Sequence, residues 1–138
     1  MFMTQQTSNK KLNITLWVIQ VVLAAMYLMA GYQKAFGDLA VVVKTIFWVA
    51  YTPAPLVRFI GTCELLGAVG LILPAALKIR PQLTTLAAAG LSLIMLLANI
   101  MHIYRGEYYV LPMTLLLLAM AAFVAYGRWK LAPFTPKA

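Results

Sequence analysis

The chain has 138 residues, 64% of them hydrophobic and 10% charged, whereas an ordinary soluble domain is about half apolar and a quarter charged. That balance excludes a soluble catalytic domain and predicts an all-α integral membrane four-helix bundle. A span takes about 20 mostly apolar residues, so four spans and their connections fill one transmembrane domain over 1–138. Eleven Lys and Arg against three Asp and Glu give a net charge of +8. The cations sit at segment ends rather than in a stripe, which fits membrane topology and not nucleic-acid binding.

Residues 1–11 are polar beyond Met1 and Phe2 and are expected to lie outside regular structure or at the interface. The first span is predicted at about 12–34. Its apolar run, Leu12 to Tyr32, is 21 residues, longer than a signal-peptide core and followed by no clear small-x-small cleavage site, so it is expected to be retained. Gln20, Tyr27, Gly31 and Lys34 are spaced by seven, four and three. This places them on one stripe of a helix, the least lipid-compatible one, which should face the bundle.

Between Gly37 and Pro55 the apolar run LAVVVKTIFWVAY is about 13 residues, too short to cross. A short interfacial or re-entrant helix, or an extension of the first helix, is expected there, with Lys44, Trp48 and Tyr51 at headgroup level. Pro53 and Pro55 end it.

The second span, about 56–77, contains Gly61, Glu64, Gly67, Ala68 and Gly70, with Glu64 three after Gly61 and four before Ala68 and so within a small-residue face. Small residues let helix backbones approach closely in lipid. A carboxylate at mid-membrane costs about 2.5 to 3.5 kcal/mol on insertion scales, so Glu64 needs a partner inside the bundle. The third span, about 83–104, ends with Asn99 and His102 three apart on one face. The fourth, about 110–127, has Pro112 in its first turn, where a missing N–H does least harm. Gly127, Arg128, Trp129 and Lys130 close it, and the tail 131–138 is expected to be loose.

Seven of the cations (Lys10, Lys11, Lys78, Arg80, Arg128, Lys130 and Lys137) fall on the side of the chain ends, and four (Lys34, Lys44, Arg58 and Arg105) on the other. Positive residues favour the cytoplasm, so both termini are expected inside. Alternating span direction then puts Lys34, Arg58, Asn99, His102 and Glu107 on the outer side. Glu64, six residues beyond Arg58, lies about 9 Å deeper.

Lys34 is the first candidate to answer Glu64, because its long stem can reach along the helix. His102 and Asn99 are the next. With Tyr27 they are expected to line an outer-half pocket in which Glu64 and His102 are the catalytic candidates and Lys34, Tyr27 and Asn99 the ligand-binding ones. Plainer roles stand beside these. The Lys34 and Glu64 pair can be a packing device, His102 an interfacial residue, Asn99 a cross-helix hydrogen bond and Tyr27 a core ring, while Tyr104, Tyr108 and Tyr109 fit an interfacial belt.

One His and one Cys, Cys63, are too few for bis-His haem, an iron–sulfur cluster, a four-ligand zinc site or a disulfide, so no metal is expected. There is no readable Ser-His-acid triad and no phosphate-cradling glycine motif. Any redox centre must therefore be a bound quinone or belong to a partner.

The G-x-x-K from Gly31 to Lys34, the run IGTCELLGAVGLILP around Glu64, the H-x-x-x-G-E from His102 to Glu107 and the terminal AYGRW resemble the DoxX-like family of small four-helix bacterial membrane proteins, over about residues 12–130. The resemblance implies a multi-pass protein of the bacterial cytoplasmic membrane. The family takes its name from a subunit of thiosulfate:quinone oxidoreductase, and relatives are linked with thiol and oxidative-stress partners. Some related redox-linked membrane proteins use paired cysteines, which this chain lacks. The expectation is a membrane subunit of an oxidoreductase system that binds a quinone or other small ligand, more an accessory subunit than an autonomous enzyme. Membrane lipid, a redox partner protein and a second copy are its expected partners. Two other functions are open to the same residues: a proton-coupled small-molecule exporter, and a non-enzymatic scaffold or assembly factor.

Overall fold

The computed structural model describes residues 2–80 and 82–132, with side chains from Lys10 onward. The expectation of a loose tail at 133–138 lies outside the described residues. Helix α1, Phe2–Phe36, is followed by a one-turn α2, Leu39–Val42, and a 3-10 turn, Phe47–Tyr51. Helices α3, Ala54–Leu77, and α4, Gln82–Arg105, come next, then a 3-10 turn, Tyr108–Val110, α5, Leu111–Tyr126, and a π-helical turn, Gly127–Leu131. Four stretches are long and apolar enough to cross a membrane: Lys10–Phe36, Ala54–Leu77, Gln82–Arg105 and Tyr108–Leu131. The described residues contain no strand. This is a four-helix membrane bundle.

The buried positions of α3 are Val57, Gly61, Glu64, Ala68, Leu71 and Ala75, and those of α4 are Thr84, Ala88, Leu91, Met95, Asn99 and His102. They recur at steps of three and four, the seam of a left-handed bundle whose other faces are left to lipid. The stripe Gln20, Tyr27, Gly31 and Lys34 of α1 is likewise buried. Helix α1 packs on α3, α3 on α4 and α4 on α5, with the α1–α3 seam the most extensive, and α5 returns to α1 and closes the ring. Leu16, Leu23, Tyr27, Ala68, Leu71, Leu91, Ala121 and Val124 fill the centre.

Glycines set how close these helices come. A methyl group on Gly61 would lie 2.8 Å from the Gly31 carbonyl oxygen, one on Gly67 would lie 2.7 Å from Leu91 Cδ2, and one on Gly70 would lie 2.7 Å from Ala87 Cβ. Helices α1 and α4 thus pack against the bare backbone of α3.

Two expectations change. The polar amino-terminal segment is helical from Phe2 onward: it holds no Gly or Pro to stop a helix that is already nucleated in the membrane. The segment between the first two spans is two short pieces rather than one helix. Asp38 caps α2 by accepting the Ala40 N–H at 3.0 Å, and the chain then turns so that Val42, Val49 and Val57 form a small core of their own.

Candidate functional site

The contact of Gly31 with Gly61 brings the backbones of α1 and α3 together one turn from Lys34 and Glu64. At that spacing the lysine stem folds along α3. Its Nζ lies 2.7 Å from both carboxylate oxygens, with the aligned hydrogen bond going to Oε1. The pair is almost fully enclosed, at 7% and 2% side-chain exposure, and the Trp48 ring centre lies 5.4 Å from Nζ. Trp48, on the 3-10 turn, therefore covers the ion pair with an aromatic face that attracts the cation. Arg58 secures the same corner by donating to the carbonyls of Lys34 at 3.2 Å and Gly37 at 2.7 Å, which the end of α1 leaves unsatisfied.

Asn99 and His102 are buried at the same end, but neither is hydrogen-bonded to Glu64. Asn99 donates to the Met95 carbonyl at 2.7 Å and accepts from the Thr114 hydroxyl at 2.8 Å, which ties α4 to α5. His102 Nδ1 lies 3.0 Å from Glu107 Oε2. The turn that permits this contains Gly106 at φ +75°, where a side chain is disfavoured, and the Glu107 N–H bonds back to the His102 carbonyl at 2.9 Å. An ionised Glu107 only accepts, so the hydrogen of this contact belongs to Nδ1. The other ring nitrogen, Nε2, is then a hydrogen-bond acceptor. Arg105 flanks the pair, 3.8 Å from Glu107 Oε1, and donates to the Tyr51 carbonyl at 2.9 Å.

His102 and Glu107 line a pocket of about 320 Å³ together with Ile46, Trp48, Thr114 and the exposed side chains of Phe47, Tyr109 and Met113. Lys34, Glu64, Tyr27 and Asn99 do not line it. Trp48 belongs both to this pocket and to the cover over Lys34, so one indole separates the two acid-containing clusters. Tyr27 is buried in the core at 2% exposure.

A second polar cluster, which the sequence reading did not find, lies at the opposite end of the bundle. Arg128 is 3% exposed rather than at the surface. Its Nε donates to Gln20 Oε1 at 2.6 Å, and Nη1 donates to Asn13 Oδ1 at 2.6 Å and to the Ala132 carbonyl at 3.0 Å. Gln20 in turn donates to the Leu71 carbonyl at 2.7 Å, and the guanidinium lies 5.9 Å from the Trp17 ring centre. The polar Gln20 within the α1 stripe was the available signal. The π-helical turn that carries Arg128 inward has no sequence mark of its own.

Among the described residues no group of three or more His, Cys, Asp or Glu is placed to hold a metal ion. The model of the DoxX-like family matches residues 18–124 of the chain. No curated protein and no solved structure matches it.

Proposed function

The chain belongs to the DoxX-like family, and on that premise we propose that it is a membrane subunit of an oxidoreductase system whose bundle binds a quinone headgroup beside His102. The observation that carries the reading is the 3.0 Å contact of His102 with Glu107 on the wall of a pocket faced by Trp48. The donor set fits such a ring. Phe47, Trp48 and Tyr109 offer aromatic faces, Thr45, His102, Glu107 and Thr114 offer polar atoms, and Ile46, Val110 and Met113 complete the lining. Phe47, Tyr109 and Met113 at the rim are exposed, which leaves the pocket open to a ligand from outside the bundle.

A bound quinol supplies two electrons and two protons. His102 accepts a proton at Nε2, and Glu107, hydrogen-bonded to Nδ1, orients the ring and stabilises the imidazolium that results. The second proton leaves through the open mouth of the pocket, while behind Trp48 the Lys34 and Glu64 ion pair holds α1 on α3 and fixes the floor beneath the indole. The electrons pass to a partner protein, because one His and one Cys in the whole chain cannot ligate a haem or an iron–sulfur cluster. In this reading the pocket faces the extracytoplasmic side of a bacterial cytoplasmic membrane with both termini inside, which the bias of seven cations against four supports.

The test is thermal stabilisation of the purified protein by short-chain ubiquinone and menaquinone analogues. Saturable stabilisation in the wild type that is lost in His102→Leu and in Trp48→Leu supports the reading. Equal and negligible stabilisation of all three proteins overturns it and leaves the scaffold function in its place.

A further inference from the structure

Helices α3 and α4 do not close on each other at every position. They touch where Gly67 meets Leu91 and Gly70 meets Ala87, but a methyl group on Gly90 would meet nothing within 4 Å. Between the helices lies an open groove of about 500 Å³, walled by apolar side chains, Cys63 and the backbones of those three glycines. It shares no residue with the pocket beside His102. The groove extends eleven residues along each helix, from Pro74 to Cys63 on α3 and from Leu83 to Ile94 on α4, which is about 16 Å, half the thickness of a hydrocarbon core. A partner helix crosses the whole core, whereas a phospholipid tail occupies one leaflet.

The groove ends on the turn between the two helices. The Pro74 carbonyl accepts the Ile79 N–H at 3.1 Å, and the Leu83 N–H donates to the Arg80 carbonyl at 2.9 Å. That turn carries Lys78 and Arg80, both exposed and neither with a side-chain partner among the described residues. Their φ angles are +56° and +45°, where glycine is the favoured residue, so the local fold gives no reason for a long cationic side chain at either position. The three acidic residues of the chain are Asp38, Glu64 and Glu107. Asp38 follows α1 and Glu107 follows α4, at the opposite end of the bundle, and Glu64 is inside α3. No acid of the chain answers the two cations. A second copy seated symmetrically on this face would only bring two more cations to them.

We propose that the α3–α4 groove and the Lys78–Arg80 turn form a binding site for one anionic phospholipid, with an acyl tail along Gly90 and the phosphate headgroup on Lys78 and Arg80. The tail covers the wall that Gly90 leaves bare, and the headgroup supplies the negative charge that this end of the bundle lacks. The site differs from ordinary lipid contact in selecting by charge and in holding a single molecule.

The experiment is native mass spectrometry of the delipidated protein titrated with dipalmitoyl phosphatidylglycerol, dipalmitoyl phosphatidylcholine and glycerol 3-phosphate. One phosphatidylglycerol per chain is expected to be retained, with an affinity about thirtyfold above that for phosphatidylcholine, the factor that two cations beside a charged headgroup supply. Glycerol 3-phosphate is expected not to compete, because it has the charge without the tail. The double substitution Lys78→Gly with Arg80→Gly suits the backbone at both positions. Its SDS-unfolding midpoint without lipid is therefore expected to stay at or above that of the wild type, while the preference for phosphatidylglycerol disappears. Gly90→Leu fills the groove and is expected to weaken the retention of both lipids at least tenfold with the charges intact. Equal affinity of the wild type for the two lipids overturns the proposal, as does full competition by glycerol 3-phosphate or undiminished retention in Gly90→Leu. A lipid-free wild-type dimer that Gly90→Leu separates into monomers overturns it in favour of a second copy.

Discussion

Gly61 lies directly against Lys34: a methyl group on Gly61 would come within 2.7 Å of Lys34 Cβ and 2.5 Å of the Ala35 amide nitrogen. The reach of the lysine to Glu64 therefore depends on a missing side chain on the neighbouring helix. Gly61→Ala is expected to push α1 from α3 and cost about 1 to 3 kcal/mol, the range for overpacking. Gly90→Ala is the control, since a methyl group there meets nothing within 4 Å. It is expected to cause no loss, because Ala is the better helix former by about 1 kcal/mol. SDS-unfolding midpoints of the two variants check the contrast, and equal destabilisation would refute the packing account.

The ion pair should behave asymmetrically under substitution. Lys34→Met leaves a carboxylate enclosed at 2% side-chain exposure without its cation, and breaking a buried pair in this way costs about 3 to 5 kcal/mol. The double substitution Lys34→Met with Glu64→Met removes both charges and is expected to recover most of that loss. Unfolding measured on the single and double variants decides the matter. A double variant no more stable than Lys34→Met would mean that the cost arises from packing rather than from charge.

Arg128 is held by geometry as well as charge. Its fork serves Gln20, Asn13 and Ala132 at the same time, and an ammonium cannot match those directions. Arg128→Lys is expected to lose about 1.5 to 3 kcal/mol, the scale of a hydrogen bond to a charged group. The same unfolding assay reads this, and wild-type stability in Arg128→Lys would show that charge alone is sufficient.

Asn99 and Thr114 offer a smaller and cleaner pair. Thr114→Val removes the donor to Asn99 Oδ1, a 2.8 Å contact, and is expected to cost about 1 kcal/mol. In a double-mutant cycle with Asn99→Leu, the coupling is expected to be favourable and at least about 0.5 kcal/mol, as for residues in direct contact. Additive effects would mean that the bond between α4 and α5 contributes nothing.

The membrane bundle was legible because composition and length allow little else, and the contact of Lys34 with Glu64 was legible because a buried acid demands a partner and alternating helix direction brings only a few groups to its level. The partner of His102 was harder to read. The H-x-x-x-G-E spacing is visible, but only the positive φ of Gly106 folds Glu107 back onto the imidazole. The burial of Arg128 was not legible, for a physical reason. An arginine followed by Trp129 and Lys130 at a span end has the composition of an interfacial anchor, and the widened turn Gly127–Leu131 that redirects it is a backbone choice rather than a sequence pattern.

The bond from Arg128 to Asn13 and Gln20 joins side chains more than a hundred positions apart. Translation delivers them in that order, so the side-chain oxygens of Asn13 and Gln20 on the first helix wait for the last helix, even though the Gln20 amide hydrogen finds the Leu71 carbonyl once α3 is in place. Insertion must therefore shelter the early segment, and the ring locks in one late event. A chain released before Arg128 is made would present those amides to lipid and be a substrate for membrane quality control.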